Sequence, residues 1–298
     1  AILNQARKPF RSKLMFAASA GIMAVAMPGG GVYGTRAFAQ VANTFPSDCS
    51  DDVSVSSVNN GDGFADPGET IVCADSNSTP IGQLVLDVED LTVIVGEDPT
   101  PSLVINTSDP SLPALYMYGT GDKTVVVSSQ SGVSTGPTGL SGGAVKLFTS
   151  DGKLSLTNNG SITASFSSLS GVAVNMLIEG GEGTLNLDST GTISGEVNAS
   201  NYGSGATTIN VGDVTTGGTR GIAVTGDGGT ISVTTQGTVT AGSNGIEARS
   251  TNRQDGAETK LDIRGAVTGG TNGAFVRSDN DIVVDLTATG DLHGTTLL

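Results

Sequence analysis

The sequence contains no tryptophan, only four tyrosines and eight phenylalanines, and a single histidine in 298 residues. A globular core of this size ordinarily contains more aromatic residues and more helix formers. The chain is instead rich in Gly, with 44 copies, and in Val, Ile, Thr, Ser and Asn, which favours strands and turns. Apolar residues alternate regularly with polar ones, and this pattern argues against a disordered low-complexity chain.

Acidic residues are absent before residue 40, whereas Arg7, Lys8, Arg11 and Lys13 lie in that segment with Arg36. The rest of the chain has nine basic residues against 29 acidic ones, a net charge of −20. Nucleic acid and anionic lipid both require a basic face, so the charge argues against them as partners. It suits a soluble, extracellular surface that could bind cations.

Residues 1–39 have the features of an export signal. The basic residues are followed by an apolar stretch at 14–27, which is too short to span a bilayer comfortably. Ala37-Phe38-Ala39 then supplies a small-residue cleavage site of the A-x-A type. We expect cleavage between Ala39 and Gln40, with Gln40 as the first residue of the mature protein.

A repeat of 24 to 28 residues runs through the second half of the chain. Each copy has an opening glycine, a short apolar strand, a Gly/Asp-rich turn, a second alternating strand and a corner of the form Gly-x-(Val/Ile/Leu). The unit is too short for a helix and several strands, and no single copy could bury its apolar face alone. This pattern predicts an all-β, right-handed single-stranded parallel β-helix. The opening glycines are Gly143, Gly171, Gly195, Gly221, Gly245 and Gly273.

The corner residues provide a specific test of the predicted stacking. Ile193, Val214, Val239 and Val267 occupy the same place in successive copies. If the turns stack in register, these four side chains should lie over one another in one inward-facing column.

Residues 40–80 do not follow the repeat pattern, and they contain the only two cysteines of the sequence, Cys49 and Cys73. An even cysteine count in an exported chain favours a disulfide, and the alternative of two free thiols suits the cytoplasm. The first turn of a solenoid also needs a cap over its unpaired edge. We therefore predict a disulfide-stapled N-terminal cap.

A calcium-binding loop is suggested within this cap. Asn60, Asp62, Asp66 and Glu69 match oxygen-donor positions of an EF-hand loop around its glycine. The first donor position is instead Val58, and no flanking helices are apparent. The alternative is a Gly/Asp turn with solvated carboxylates and no cofactor.

Residues 81–298 are predicted to form the β-helix, which we expect to continue beyond Leu298. Turns are expected to lengthen at 196–206 and 249–258, and such turns often contain binding residues. An ordinary solvated loop is the alternative interpretation. The residues concerned are Tyr202, Arg249 and Arg253.

Catalytic motifs are weak, so we expect no enzyme activity. A Ser-His-Asp triad would depend on His293, the only histidine. Asp279 and Asp281 lie close together but have the character of turn carboxylates. A polysaccharide-active β-helix enzyme is the alternative function. An ice- or mineral-binding solenoid is less favoured, because the Thr residues do not keep one spacing.

The signal, the cysteine-containing cap and glycine-rich turns such as GTISVTTQGTVTAGSNGI resemble the N-terminal passenger of bacterial type V autotransporters, including adhesins. The resemblance covers residues 40–298. It implies export by a Gram-negative bacterium and display at the outer membrane, cell surface or extracellular space. It also implies a non-catalytic adhesin-like or structural role. The implied partners are the protein's own C-terminal outer-membrane β-barrel, which is not in this chain, and a host surface or glycan.

Overall fold

The computed structural model describes residues 49–50, 65–74, 83–96, 104–107, 113–135, 143–164, 171–251, 254–287 and 290–294. The chain divides into two compact units, 1–40 and 41–298, and all of the described residues belong to the second. The predicted cleavage site at Ala39 and Gln40, with the rest of the predicted signal, lies outside them.

The described residues form strands and turns only. Alternation at period two, with aliphatic residues inward and Thr, Ser or Asn often outward, favours this local structure. The strands are β1 (Cys49–Ser50), β2 (Thr70–Cys73), β3 (Leu84–Asp87), β4 (Leu91–Val95), β5 (Val104–Thr107), β6 (Leu115–Tyr118), β7 (Lys123–Val127), β8 (Gly132–Thr135), β9 (Val145–Thr149), β10 (Leu154–Asn158), β11 (Ser161–Thr163), β12 (Val172–Ile178), β13 (Leu185–Ser194), β14 (Glu196–Asn201), β15 (Thr207–Thr215), β16 (Arg220–Gly226), β17 (Ile231–Thr235), β18 (Val239–Ala241), β19 (Asn244–Ser250), β20 (Glu258–Ile263), β21 (Ala266–Gly269), β22 (Asn272–Ser278), β23 (Asp281–Leu286) and β24 (Asp291–His293).

These strands assemble into two sheets that wind as a parallel β-solenoid, as the repeat predicted. The first strand of each turn joins an eight-stranded sheet in the order β3-β6-β9-β12-β14-β16-β19-β22. The second and third strands join a 16-stranded sheet, whose longest path runs β1-β2-β4-β7-β10-β13-β15-β17-β20-β23. Every pairing in both sheets is parallel except that of β1 with β2.

The predicted column of corner residues is confirmed. Ile193 pairs in register with Val214, Val214 with Val239, and Val239 with Val267. All four side chains are buried in one continuous apolar core. Burying aliphatic surface of this kind contributes about 25 cal/mol per Å² and is the main source of stability in such a fold.

Glycines at the turn between the first and second strands stack closely. A Cβ on Gly183 would lie 2.1 Å from the carbonyl oxygen of Gly152, and one on Gly205 would lie 2.1 Å from that of Gly183. Buried Asn201 completes this turn, since its amide donates to the carbonyl oxygens of Gly183 and Gly205 at 3.0 Å. The backbones therefore approach too closely here for any larger residue.

The disulfide predicted for the N-terminal cap is present. Cys49 and Cys73 are register partners in the antiparallel β1–β2 pair and are joined through their sulfur atoms. Cys73 is also the register partner of Val95 in the next strand of the 16-stranded sheet. The disulfide thus ties β1 to the first position of an inward column.

One local prediction was wrong. Residues 196–201 were expected in a lengthened turn, but they form strand β14, and Arg249 lies in strand β19. The reason is that the outward positions of β14 are polar, namely Asn198 and Ser200, so the strand has the composition of a loop. Arg253, expected in the same loop as Arg249, lies outside the described residues.

Candidate binding surface

The outer face of the eight-stranded sheet presents two adjacent rows of outward-pointing side chains. At roughly 4.8 Å per strand, the eight strands extend about 34 Å along the solenoid. We call these rows the outer face. The first row is Val85, Tyr116, Lys146, Asn175, Asn198, Ala223, Glu247 and Phe275. The second row is Asp87, Tyr118, Phe148, Leu177, Ser200, Thr225, Arg249 and Arg277.

The outer face contains most of the aromatic residues that the structure describes. Of the five aromatic side chains among the described residues, Tyr116, Tyr118, Phe148 and Phe275 lie on it. The fifth, Tyr202, follows β14 and is 50 % exposed. Because aromatic side chains are usually packed in a core, the placement of these four described rings on one half-exposed surface indicates a contact surface.

One end of the outer face is formed by stacked tyrosines. The ring centroids of Tyr116 and Tyr118 are 4.9 Å apart, and the Lys146 ammonium lies 4.8 Å from the centroid of Tyr116. Tyr118 donates a hydrogen bond to the Asp87 carboxylate. Burial and the Asp87 charge raise the pKa of both tyrosines, so their hydroxyls stay protonated and able to donate at neutral pH.

An ion pair between buried Glu196 and partly exposed Arg220 lies beside the other half of the outer face. Glu196, 3 % exposed, and Arg220 approach to 2.7 Å between Oε1 and Nη2. Burial is the largest influence on Glu196 and raises its pKa; Arg220 lowers that pKa, and the negative charge of Glu247 raises it. The strand of Arg220 lies between those of Glu196 and Glu247 in the sheet.

Glu247 is held in place by two side chains, and a third supports one of them. Its carboxylate contacts Arg249 Nη2 at 2.7 Å and accepts a hydrogen bond from Asn244 Nδ2 at 2.9 Å. Asn272 Nδ2 in turn donates to Asn244 Oδ1 at 2.9 Å. The Arg249 guanidinium also lies 5.8 Å from the centroid of the Phe275 ring. The result is a rigid polar support under an exposed arginine.

Arg277 stands apart from this network. It is exposed, it is the register partner of Arg249, and it forms no ion pair or hydrogen bond with the residues that the structure describes. Like charges directly opposite each other on neighbouring strands are destabilising. The Arg249–Arg277 pair thus places two positive charges side by side, and among the described residues only Arg249 has a carboxylate partner.

Sequence reasoning missed Glu196, Arg220 and Glu247. One signal was available, because Arg220, Asn244 and Asn272 each precede an opening glycine and so occupy one place in the repeat. Glu247 could not be found this way, since the corresponding residue one repeat earlier is a small, neutral Ala.

The suggested calcium ligands are only partly described. Asn60 and Asp62 lie outside the described residues. Glu69 is 1 % exposed, and its Oε2 accepts a hydrogen bond from the Asp66 backbone N–H at 2.7 Å, closing the turn before β2. No group of three or more metal-ligating His, Cys, Asp or Glu side chains occurs among the described residues. The calcium site stays a prediction.

The residues considered for catalysis are divided between the two sheets, with His293 on the 16-stranded sheet and Asp279 two residues beyond Arg277 of the outer face. His293 pairs with Asp291 at 2.7 Å in β24, on the 16-stranded sheet. Asp279 follows β22 in a turn, where its backbone N–H donates to the Ser250 carbonyl oxygen. Ser134 lies in a Gly-x-Ser-x-Gly sequence at 132–136, and the described part of it, Gly132–Thr135, is strand β8 and not the sharp turn that exposes a nucleophile.

Comparison with known proteins returns no relative: no family model, no curated protein and no solved structure matches the chain. No helix among the described residues has the length and apolarity needed to cross a membrane.

Proposed function

We propose that this chain is an exported, surface-displayed β-solenoid that works by binding, in the manner of an autotransporter passenger with an adhesin-like or structural role. The observation that carries the proposal is the outer face. Four aromatic rings and three cationic side chains, Lys146, Arg249 and Arg277, share one long sheet surface of an otherwise acidic chain.

Export is supported by two independent features. The first 39 residues have the charge and apolar pattern of a signal, and the disulfide between Cys49 and Cys73 persists in oxidising compartments. The autotransporter assignment rests on the resemblance of the signal, cap and repeats to such passengers.

Location is tested in the producing bacterium. Proteinase K added to intact cells should degrade the protein while a periplasmic marker stays protected, and mass spectrometry should place the mature N-terminus at Gln40. A protein that stays in the cytoplasm with residues 1–39 attached would contradict the proposal.

Adhesion is tested with labelled protein on intact eukaryotic cells and on a glycan array. We expect saturable binding of the labelled protein, which an excess of unlabelled protein should reduce by competition. Absence of binding to any surface, together with turnover of a polysaccharide, would overturn the binding role.

A polysaccharide-active enzyme is the second candidate, and one observation favours it. Glu196 and Glu247 lie near each other with two arginines, and burial raises the pKa of Glu196, as a general acid requires. Release of reducing ends from a polysaccharide by the wild type, abolished in Glu196→Gln and retained in Asp279→Ala, would support this candidate. No release by the wild type would reject it.

A further inference from the structure

We infer that the outer face binds an anionic polysaccharide, with the sugar carboxylates or sulfates held between Arg249 and Arg277. This assignment rests on the proposed binding function and names its ligand class. It starts from two exposed guanidinium groups on adjacent, in-register strands.

The charge of the pair points to an anion. Arg249 has one carboxylate contact, from Glu247, whereas Arg277 has none among the described residues. Arg249, Arg277 and Glu247 together carry a net positive charge on β19 and β22, and exposed Asp279 follows β22 two residues beyond Arg277. A guanidinium group matches the planar carboxylate and the sulfate oxygens through paired N–H donors.

The ring beside the pair points to a sugar. Phe275 is half-buried, lies opposite Glu247 on the neighbouring strand, and is positioned under the Arg249 guanidinium. An aromatic ring offers an apolar surface to the C–H face of a sugar, while arginine binds its acidic substituent. An inorganic anion could bind through the arginine charges alone and would gain nothing from the aromatic ring.

The length of the outer face points to a polymer. Between Phe275 and the stacked Tyr116 and Tyr118, the middle of the two rows carries Asn175, Asn198, Ser200 and Thr225. Amides and hydroxyls donate to and accept from sugar hydroxyls without imposing charge. At the far end, Lys146 supplies a third cation, next to the ring of Tyr116. An extended chain could thus contact ring, polar and cationic groups in succession over about 34 Å.

The test measures binding of the full chain to polygalacturonate, which carries carboxylates, and to dextran sulfate, with neutral dextran as the reference polymer. Arg277→Gln should weaken binding of the preferred anionic polymer by about tenfold, because it removes a charge-assisted contact. The affinity of Arg277→Lys should lie between those of the wild type and Arg277→Gln, since lysine keeps the charge but loses the paired N–H donors. Phe275→Ala should weaken binding of the polymer but not of free galacturonate or sulfate.

The matched control is Arg264→Gln. Arg264 is an exposed arginine that pairs with Asp262 after β20 of the other sheet. This variant should bind like the wild type. Equal losses in Arg264→Gln and Arg277→Gln would reduce the effect to overall charge and overturn the assignment. So would failure of the wild type to bind either anionic polymer at low salt, or equal binding of neutral dextran or duplex DNA.

The same variants separate this inference from the proposed function. If wild-type protein and Arg277→Gln bind cells equally and polygalacturonate or dextran sulfate does not compete, the ligand assignment fails while adhesion stands. If wild-type protein binds no cells, the adhesion proposal fails, and the polymer measurements still decide whether the anionic site exists.

Discussion

Lys123 occupies the same inward position in its turn that Leu154 occupies in the next, and its side chain is 0 % exposed. Leu91 fills that position one turn earlier. The ammonium donates a hydrogen bond to the Thr120 carbonyl oxygen. An amine therefore replaces an aliphatic side chain within a column of the core, and burial is the main reason that its pKa is lowered; Asp90, Asp87, Glu89 and Asp122 raise it in part.

Lys123→Met should stabilise the protein by about 1 kcal/mol near neutral pH, because it keeps the aliphatic chain and removes a buried charge. The lowered pKa means that the unfolded chain binds the proton more tightly than the folded chain. Wild-type stability should therefore rise with pH toward 10.5, the ordinary lysine value, and the advantage of the variant should shrink.

Urea unfolding monitored by circular dichroism measures this difference. The control is Lys153→Met at an exposed position, which should change stability by less than about 0.5 kcal/mol. An Lys123→Met variant less stable than the wild type, with a deficit that grows toward high pH, would contradict this explanation.

Gly183→Ala should destabilise the solenoid by about 2 kcal/mol or more, since its Cβ would fall 2.1 Å from the Gly152 carbonyl oxygen. Gly217→Ala is the matched control, because a Cβ there meets nothing within 4 Å. The two variants should differ clearly in urea midpoint. Equal midpoints would show that the turns do not approach as closely as described.

Thr235→Val should stabilise the protein by about 1 kcal/mol. The Thr235 hydroxyl is buried without a hydrogen-bond partner among the described residues, in a column between Val211 and Ile263. Thr234→Val, at the neighbouring outward position, should have little effect. A destabilised Thr235→Val protein would indicate that the hydroxyl has a partner in solution.

The free energy of unfolding of Glu196→Gln, relative to that of the wild type, should increase as pH rises. The pKa of Glu196 is raised in the folded state. The stabilising contribution of this carboxyl group is therefore complete below pH 4.5, the ordinary pKa of glutamate, and is lost as the pH rises through the folded-state pKa. In an Arg220→Gln background this loss should shift to higher pH, because Arg220 lowers the Glu196 pKa. Stability curves of the wild type and Glu196→Gln that run parallel above 4.5 would contradict the assignment.

The parts of the fold that depend on inward residues were predictable from sequence. Period-two alternation and the repeated corner place Ile193 over Val214 without any structural information. The register was harder to predict around Ala173, where the pairing of β12 with β14 shifts between Val172 and Val174. One extra residue in a strand leaves the apolar pattern almost unchanged.

The outer face was not predictable in the same way. Its residues need only be compatible with solvent, so Glu247, Phe275 and Arg277 follow no apolar period. Their juxtaposition depends on the stacking register, which the glycine spacing gives only to within a residue. The ion pair of Glu196 with Arg220 joins residues one turn apart for the same reason.

The in-register core column is tested most directly by methyl NMR on protein labelled at Ile, Leu and Val. In-register stacking predicts nuclear Overhauser contacts from Val239 methyls to those of both Val214 and Val267, and none to Ile162, which lies further along the same column. Contacts between Val239 and Ile162, or none from Val239 to either neighbour, would contradict the solenoid and the binding surface built on it.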